Sequence, residues 1–387
     1  MLACCGLACG VTGAEGDVPI EIHGFTSLGY LVTTENEYIS SESTEGTTEL
    51  WEFALNGMWR PSDSVRVGAQ VFARDFGDSD NGRIQLDWAF VEYRDRDAIN
   101  GQLGRVKVPF GLYNEVLDVD AARVPVFLPD SVYKRKERDL YLSVDGAKIA
   151  GFFDADAAGS ISYALYGGVK TIDEDSSTAD SFRSFGLGDD LEIDSTPGIG
   201  GMLHWNTPLE GFGMRLSMAA LKGFEMRGTT ELSPSIQLTN NLQIDWFPAC
   251  VASVVYEADD YTLASEYYRV FGDGEVASDV TGLGVVETTD FSDEAEGFYV
   301  SATWHALDRF DCYAALDYTS DGPGSWNDTD ARRLSYVGAA RYDLTEHWLV
   351  KGEVQYNDGT KGVISGADGA DPVQRWWLFA VRTTVDF

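Results

Sequence analysis

Residues 375–387 read RWWLFAVRTTVDF. Every second residue places Trp377, Phe379, Val381, Thr383, Val385 and Phe387 on one side, and Trp376, Leu378, Ala380, Arg382, Thr384 and Asp386 on the other. Strand side chains alternate between faces, so this stretch is a strand between two unlike environments. Its apolar face must meet either a protein core or a bilayer, and the rest of the chain decides between them.

The pattern recurs along the whole sequence. In WEFALNGMWRPSDSVRVGAQVFARDF, 51–76, two alternating runs flank the tight PSDS: Trp51, Phe53, Leu55 and Trp59 share a face, then Val65, Val67, Ala69 and Val71. Their opposite faces carry Glu52, Asn56 and Arg60, then Arg66, Gln70 and Arg74. Comparable hairpins occupy 298–320 and 334–356, where Trp348, Val350, Val354 and Tyr356 oppose His347, Lys351, Glu353 and Gln355. About sixteen such segments, each near the length a tilted membrane strand needs, run from 20–33 to 375–387. Short breaks alternate with long ones, the latter including 109–143, 171–197, 223–249 and 272–295. Segment 83–95 can be read with either face outward.

The predicted fold class is all-β: a transmembrane antiparallel β-barrel over 15–387. Aromatic residues gather near strand ends (Tyr30, Trp51, Trp59, Trp205, Tyr267, Tyr342, Trp348, Tyr356, Trp377), as interfacial girdles require. The opposite faces mix both signs of charge, which a packed core resists and a wet lumen accepts. Closure of the sheet pairs every backbone group, the condition for a sheet to exist in lipid. A secreted sandwich or propeller is the soluble alternative.

Composition narrows function. No run approaches the roughly 18 apolar residues of a spanning helix. The 387 residues hold 63 acids against 28 bases, a net charge of −35 that excludes nucleic acid as a partner. The start, MLACCGLACGVTGAEGDVP, turns polar after Ala14 and reads as a signal peptide over 1–14, though without a basic n-region, as in a leader cut short. Removing it leaves Cys250 and Cys312, too few for a disulfide framework. Four scattered histidines, no recognisable His–Ser–Asp arrangement and no phosphate loop argue against an enzyme, and no cofactor or metal motif is present.

The third long break, 109–143, is different in kind. Pro109, Pro125 and Pro129 keep it out of the ladder, while Phe110, Leu112, Val124, Val126, Phe127 and Leu128 require it to pack against something. GRVKVPFGLYNE, 104–115, followed by VFLPDSVY, 126–133, and the Asp145-Gly146 pair, resembles a bacterial outer-membrane porin family related to the phosphate-selective porins. The resemblance covers roughly 101–146. It implies an integral outer-membrane protein, a homotrimer of sixteen-stranded channels for small hydrophilic solutes or ions, and a third extracellular loop folded inward as a constriction. Outer-membrane lipid and lipopolysaccharide are then its surroundings.

On that reading Arg105, Lys107, Glu115, Asp118, Asp120, Arg123, Lys134, Arg135, Lys136 and Arg138 belong to the constriction. The bases at 134, 135, 136 and 138 form an anion site at the throat, sit at the loop rim against lipid phosphates, or simply pair with Glu137 and Asp139. Alternation puts Arg60, Arg66, Arg74, Arg215, Arg333, Arg341, Lys351 and Arg382 on the pore wall, with Glu52, Glu266, Asp311, Asp317, Asp343, Glu353 and Asp386 as acidic counterparts. The competing reading is a structural or adhesive barrel whose acidic loops bind an extracellular partner.

Overall fold

A computed structural model describes residues 20–96, 98–184, 187, 188 and 190–387; the expected leader, 1–14, lies outside them. Sixteen antiparallel strands follow one another in chain order: β1 (Ile20–Thr33), β2 (Leu50–Ser62), β3 (Val65–Phe76), β4 (Ile84–Arg96), β5 (Ile99–Lys107), β6 (Ser143–Asp154), β7 (Ser160–Lys170) and β8 (Thr196–Asn206). They continue with β9 (Phe212–Ser233), β10 (Ile236–Glu257), β11 (Tyr261–Val280), β12 (Gly284–Leu307), β13 (Phe310–Ser320), β14 (Arg332–Thr345), β15 (Trp348–Asp358) and β16 (Arg375–Asp386). Each pairs with its neighbours, and β1 pairs with both β2 and β16, so the sheet closes. Gly24 and Phe387 complete the seam, with N–H···O distances of 3.1 and 3.0 Å.

The alternation of the last strand holds residue by residue. Trp377, Phe379, Val381, Val385 and Phe387 are exposed on the outer surface, while Trp376, Leu378, Ala380, Arg382 and Thr384 are buried within. Exposed Trp59, Tyr93, Trp205, Tyr261, Trp304, Tyr342 and Trp348 ring the barrel toward its short-turn end. Tyr30, Tyr267, Tyr336 and Trp377 do so toward the long-loop end. A continuous outward apolar band with aromatic borders is the surface a bilayer solvates.

The ambiguity of 83–95 has a structural cause. Gln70 pairs with Trp88 and Val71 with Leu86, a bulge at Asp87 that shifts the alternation by one residue. Ile84 and Leu86 face outward before it, Val91 and Tyr93 after it, and Asp87 and Glu92 are buried inside. Either register alone was half of the strand.

Two expected loops are not loops. Residues 223–249 and 272–295 continue the ladder: β9 and β10 stay paired to Ser233 and Ile236, β11 and β12 to Val280 and Gly284. The four strands project past the barrel as a blade, one edge extended by a short strand, Asp190–Ile193, paired with Met226–Thr229. Phe224, Met226, Leu242 and Ile244 are buried on one blade face with Leu187, Leu191 and Ala179. Ala179 lies on a helix, Ser177–Ser184, inside the expected break 171–197.

Candidate constriction site

Residues 108–142 run between β5 and β6, with two short turns of 3-10 helix and one turn of α-helix, Arg138–Tyr141. Their apolar side chains find the cover the sequence demanded. Val108, Phe110, Leu128, Val132, Tyr133, Leu140 and Tyr141 are buried in one cluster with Tyr268 of β11 and Tyr299 of β12. Phe110 stacks on Tyr141 at 4.8 Å between ring centroids. Val126 and Phe127 join a second cluster with Leu31, Leu50, Trp376 and Leu378.

A prolyl, non-repetitive segment cannot satisfy its own backbone, and buried N–H groups need acceptors. The barrel wall supplies them as carboxylates. Glu353 of β15 accepts from the N–H of Val126 at 2.7 Å and Phe127 at 3.1 Å. Asp317 of β13 accepts from Asp130 at 2.9 Å and Ser131 at 3.2 Å. Glu266 of β11 accepts from Leu112 N–H at 2.9 Å and from the hydroxyls of Ser253, Tyr133 and Tyr299 at 2.6, 2.5 and 2.8 Å. Gly111 beside it has φ +63, and a Cβ there would lie 2.5 Å from the Tyr133 hydroxyl and 3.0 Å from Glu266 Oε1, so glycine is what lets the chain pass this close.

The bend around residue 120 carries the densest electrostatics. Asp120 pairs with Lys351 at 3.1 Å, with Arg382 at 3.4 Å and with Arg123 at 3.3 Å, and accepts from Thr384 Oγ1 at 2.6 Å. Arg382 also reaches Glu52 at 2.7 Å, and Arg341 donates to the Ala121 carbonyl at 2.6 Å. Burial alone would raise the Asp120 carboxyl, but the Lys351 ammonium and the Arg382 and Arg123 guanidiniums outweigh it and hold it below the ordinary carboxylate range. Lys351 is the fourth residue of β15 from the short-turn end, so Asp120 meets the wall through a side chain rooted nearer that end than the long-loop end.

A third cluster ties the segment to β3, β4 and β5. Lys107 meets Asp118 and, at 3.3 Å, Asp87; Gln70 donates to Asp118 and, at 2.9 Å, to Asp87. Arg138 reaches Asp87 at 3.3 Å and lies 4.7 Å over the Phe72 ring.

The bases that adjoin in sequence separate in space. Lys134 pairs with Glu137 at 3.3 Å and lies 5.3 Å over Tyr268. Arg135 turns to Asp130, 3.3 Å away, and to the Tyr38 and Phe127 rings. Burial, then the neighbouring Arg333, pulls Arg135 below the usual arginine value. Arg138 points elsewhere again, and Lys136 is exposed. Of the four, Lys134 alone meets one of the expected partners, Glu137; Arg135 pairs with Asp130 and Arg138 with Asp87.

Among the wall bases, Arg66 pairs with Glu92, Arg74 with Asp80, Arg60 with Glu21 at 3.1 Å, Arg333 with Asp130 at 2.7 Å and Arg341 with Asp343 at 2.7 Å. Arg215 donates to the Gly111 carbonyl at 2.7 Å. Glu115 pairs with Lys148 at 3.0 Å.

Arg105 corrects the sequence reading. It shares the outward face with Leu103, pairs in register with Ala89 and Asp145, and holds the exposed Asp145 through two bonds of 2.7 and 2.8 Å. It stands outside the barrel, not in the throat. Sequence reasoning placed the wall acids on the inner face but missed what three of them do; the signal was the N–H inventory of a buried prolyl loop.

His305 pairs with Asp311 at 2.8 Å and His347 with Asp386 at 3.2 Å, both near the short-turn end. Among the described residues neither imidazole bonds a serine or threonine hydroxyl, Cys250 and Cys312 are free, and no group of three or more metal-ligating side chains is placed to hold an ion.

No family profile and no curated protein matches this sequence. Solved structures match it in fold. An OmpF of Salmonella typhi, in complex with daunomycin, is 12% identical, with 95% of this chain and 98% of that one covered and a TM-score of 0.55. An anion-selective porin from Comamonas acidovorans is 12% identical over 95% and 99% of the two chains, TM-score 0.54. OmpT of Vibrio cholerae, an outer-membrane protein in its trimer form, is 11% identical over 95% and 99%, TM-score 0.52. The chain thus has the fold of outer-membrane porin barrels.

Proposed function

We propose that this chain is an integral outer-membrane porin, a passive water-filled channel for small hydrophilic solutes or ions whose throat is set by residues 109–143. The observation that carries the reading is the combination of an apolar outward band with a charged inner face crossed by one anchored segment. A structural barrel needs no such segment; a channel uses it to set radius and fixed charge. Outer-membrane lipid and lipopolysaccharide would surround the band, and a homotrimer follows from the family resemblance.

Anion preference is the sharper form of the proposal. It rests on Arg123 Nε and Arg138 Nη1, buried donors without a hydrogen-bond partner, which line a cavity of about 40 Å³ where Arg74, Lys134 and Arg135 make five bases against the two acids Glu52 and Asp118. Planar-bilayer conductance across a KCl gradient tests both parts. Discrete ohmic steps, enlarged when residues 109–142 are replaced by a short Gly-Ser link, are expected; silence from verified folded protein would sink the channel. A cation-selective reversal potential would remove the anion preference alone.

A further inference from the structure

The blade has two edges, and the fold treats them differently. The β9 edge is extended by Asp190–Ile193. The β12 edge is bare: β12 pairs with β11 down to Gly284, but its pairing with β13 begins only at Glu296. Among the described residues, no backbone group outside β11 pairs with 284–293. Over this overhang every second residue presents an N–H and a C=O to solvent, a template for strand addition. The edge is rich in strand formers, Val285, Val286, Thr288 and Thr289, and buried Phe224, Met226, Leu242 and Ile244 stiffen the sheet behind it.

Charge says what can pair there. Register places Asp290 directly opposite Glu275, and Ser292 opposite Asp273, on one face. Like charges directly opposite are destabilising. Glu294 stands four residues from Asp290 on that face and is compensated only distantly, by Arg269 at 3.7 Å. A second copy of this chain would bring acids against acids. A cationic strand would bring the missing counter-charge.

We propose that the β12 edge, residues 284–295, docks an extended basic segment of a partner protein, which adds to the blade as a further strand with lysine or arginine side chains opposite Asp290 and Glu294. Open ladder groups give the affinity, and the acids spaced four apart give the selection. The inference does not rest on the channel reading.

The test uses the full chain, refolded in detergent and checked by heat-modifiable mobility. The probe is a fluorescent eight-residue Thr/Val peptide with lysines at positions 2 and 6, read by anisotropy. Saturable binding is expected, at least tenfold weaker for the peptide with glutamate in place of lysine and lost on methylating alternate backbone nitrogens. The double change Asp290→Lys, Glu294→Lys should reverse the preference; if that variant fails to fold, the glutamate peptide on the unaltered chain makes the same point. Binding that survives N-methylation, or that ignores peptide charge, overturns the proposal, as does no binding at all. Conductance recorded on the same preparation keeps the two readings apart: binding without current removes only the channel, and current without binding removes only the docking edge.

Discussion

Residues 109–142 and the blade leave the barrel at the same end, yet the first turns back among the wall carboxylates while the second carries the sheet outward. Both are too long for a turn. What separates them is how each satisfies its backbone. The blade keeps period-2 alternation through Phe224, Met226, Leu242 and Ile244, so its N–H groups pair across strands and one face is buried. The prolines of 109–142 forbid that solution: part of its N–H groups close local turns, and those of Leu112, Val126, Phe127, Asp130 and Ser131 take wall carboxylates. A ladder is local and tolerates single changes. A clamp concentrates its energy in a few buried charges, and the comparison can be broken there.

The largest effect is expected at Asp120. Asp120→Asn keeps the shape but leaves Lys351 and Arg382, both fully buried, without their shared counter-charge. Removing one partner of a buried ionic network costs about 3–5 kcal/mol. The bend should detach, conductance should rise toward that of the loop-replaced chain, and trypsin should cut after Arg123. Lowering pH should not reproduce this. The Asp120 carboxyl sits below its unfolded value of about 3.9, so its contribution is complete above that pH and fades only as pH falls through the lower folded value. Opening at pH 4 in the unaltered chain would show that other carboxylates hold the segment.

That asymmetry also explains what could be read in advance. The sixteen strands, their faces and the aromatic borders were legible because bilayer and lumen impose one period on every strand. The blade was misread because a bilayer limits how long a spanning strand must be, not how far a hairpin continues beyond it; the alternation through Phe224 and Met226 was present throughout. Residue 105 was misassigned by adjacency to the loop, although it shares parity with the exposed Leu103; Lys107, of the same parity, ends the strand and its ammonium turns in to Asp87 and Asp118. The targets of Arg135 and Arg138 were beyond reach, since Asp130, Tyr38 and Asp87 come near only through tertiary packing.

A middle-sized effect separates the clamps that bond the backbone from the one that binds charge. Glu353→Gln and Asp317→Asn each retain an acceptor oxygen but weaken two bonds whose acceptor is charged, worth roughly 1.5–3 kcal/mol apiece at most. Each variant should fold and conduct with added flicker, as the segment around Val126 or Ser131 loosens without leaving. If both together give a current record as steady as that of the unaltered chain, the apolar packing of Phe127 and Leu128 is what holds this stretch.

The smallest effect is expected where sequence adjacency misled. Arg105 and Asp145 form a two-bond pair that is about a third to nearly half exposed on the outer surface, so screening leaves it roughly 0–1 kcal/mol. Removing both, Arg105→Ala with Asp145→Ala, should leave conductance and reversal potential unchanged. Lys107, two residues along, gives the contrast: its ammonium meets Asp87 and Asp118 inside, and Lys107→Ala strands both. A shifted reversal potential in the 105/145 double variant, equal to that of Lys107→Ala, would put the outward pair back in the ion path and overturn the assignment of that strand's faces. An unchanged one would show that where a head group ends, on Asp145 for Arg105 but on Asp87 and Asp118 for Lys107 of the same parity, decides whether a base in this barrel is seen by a passing ion.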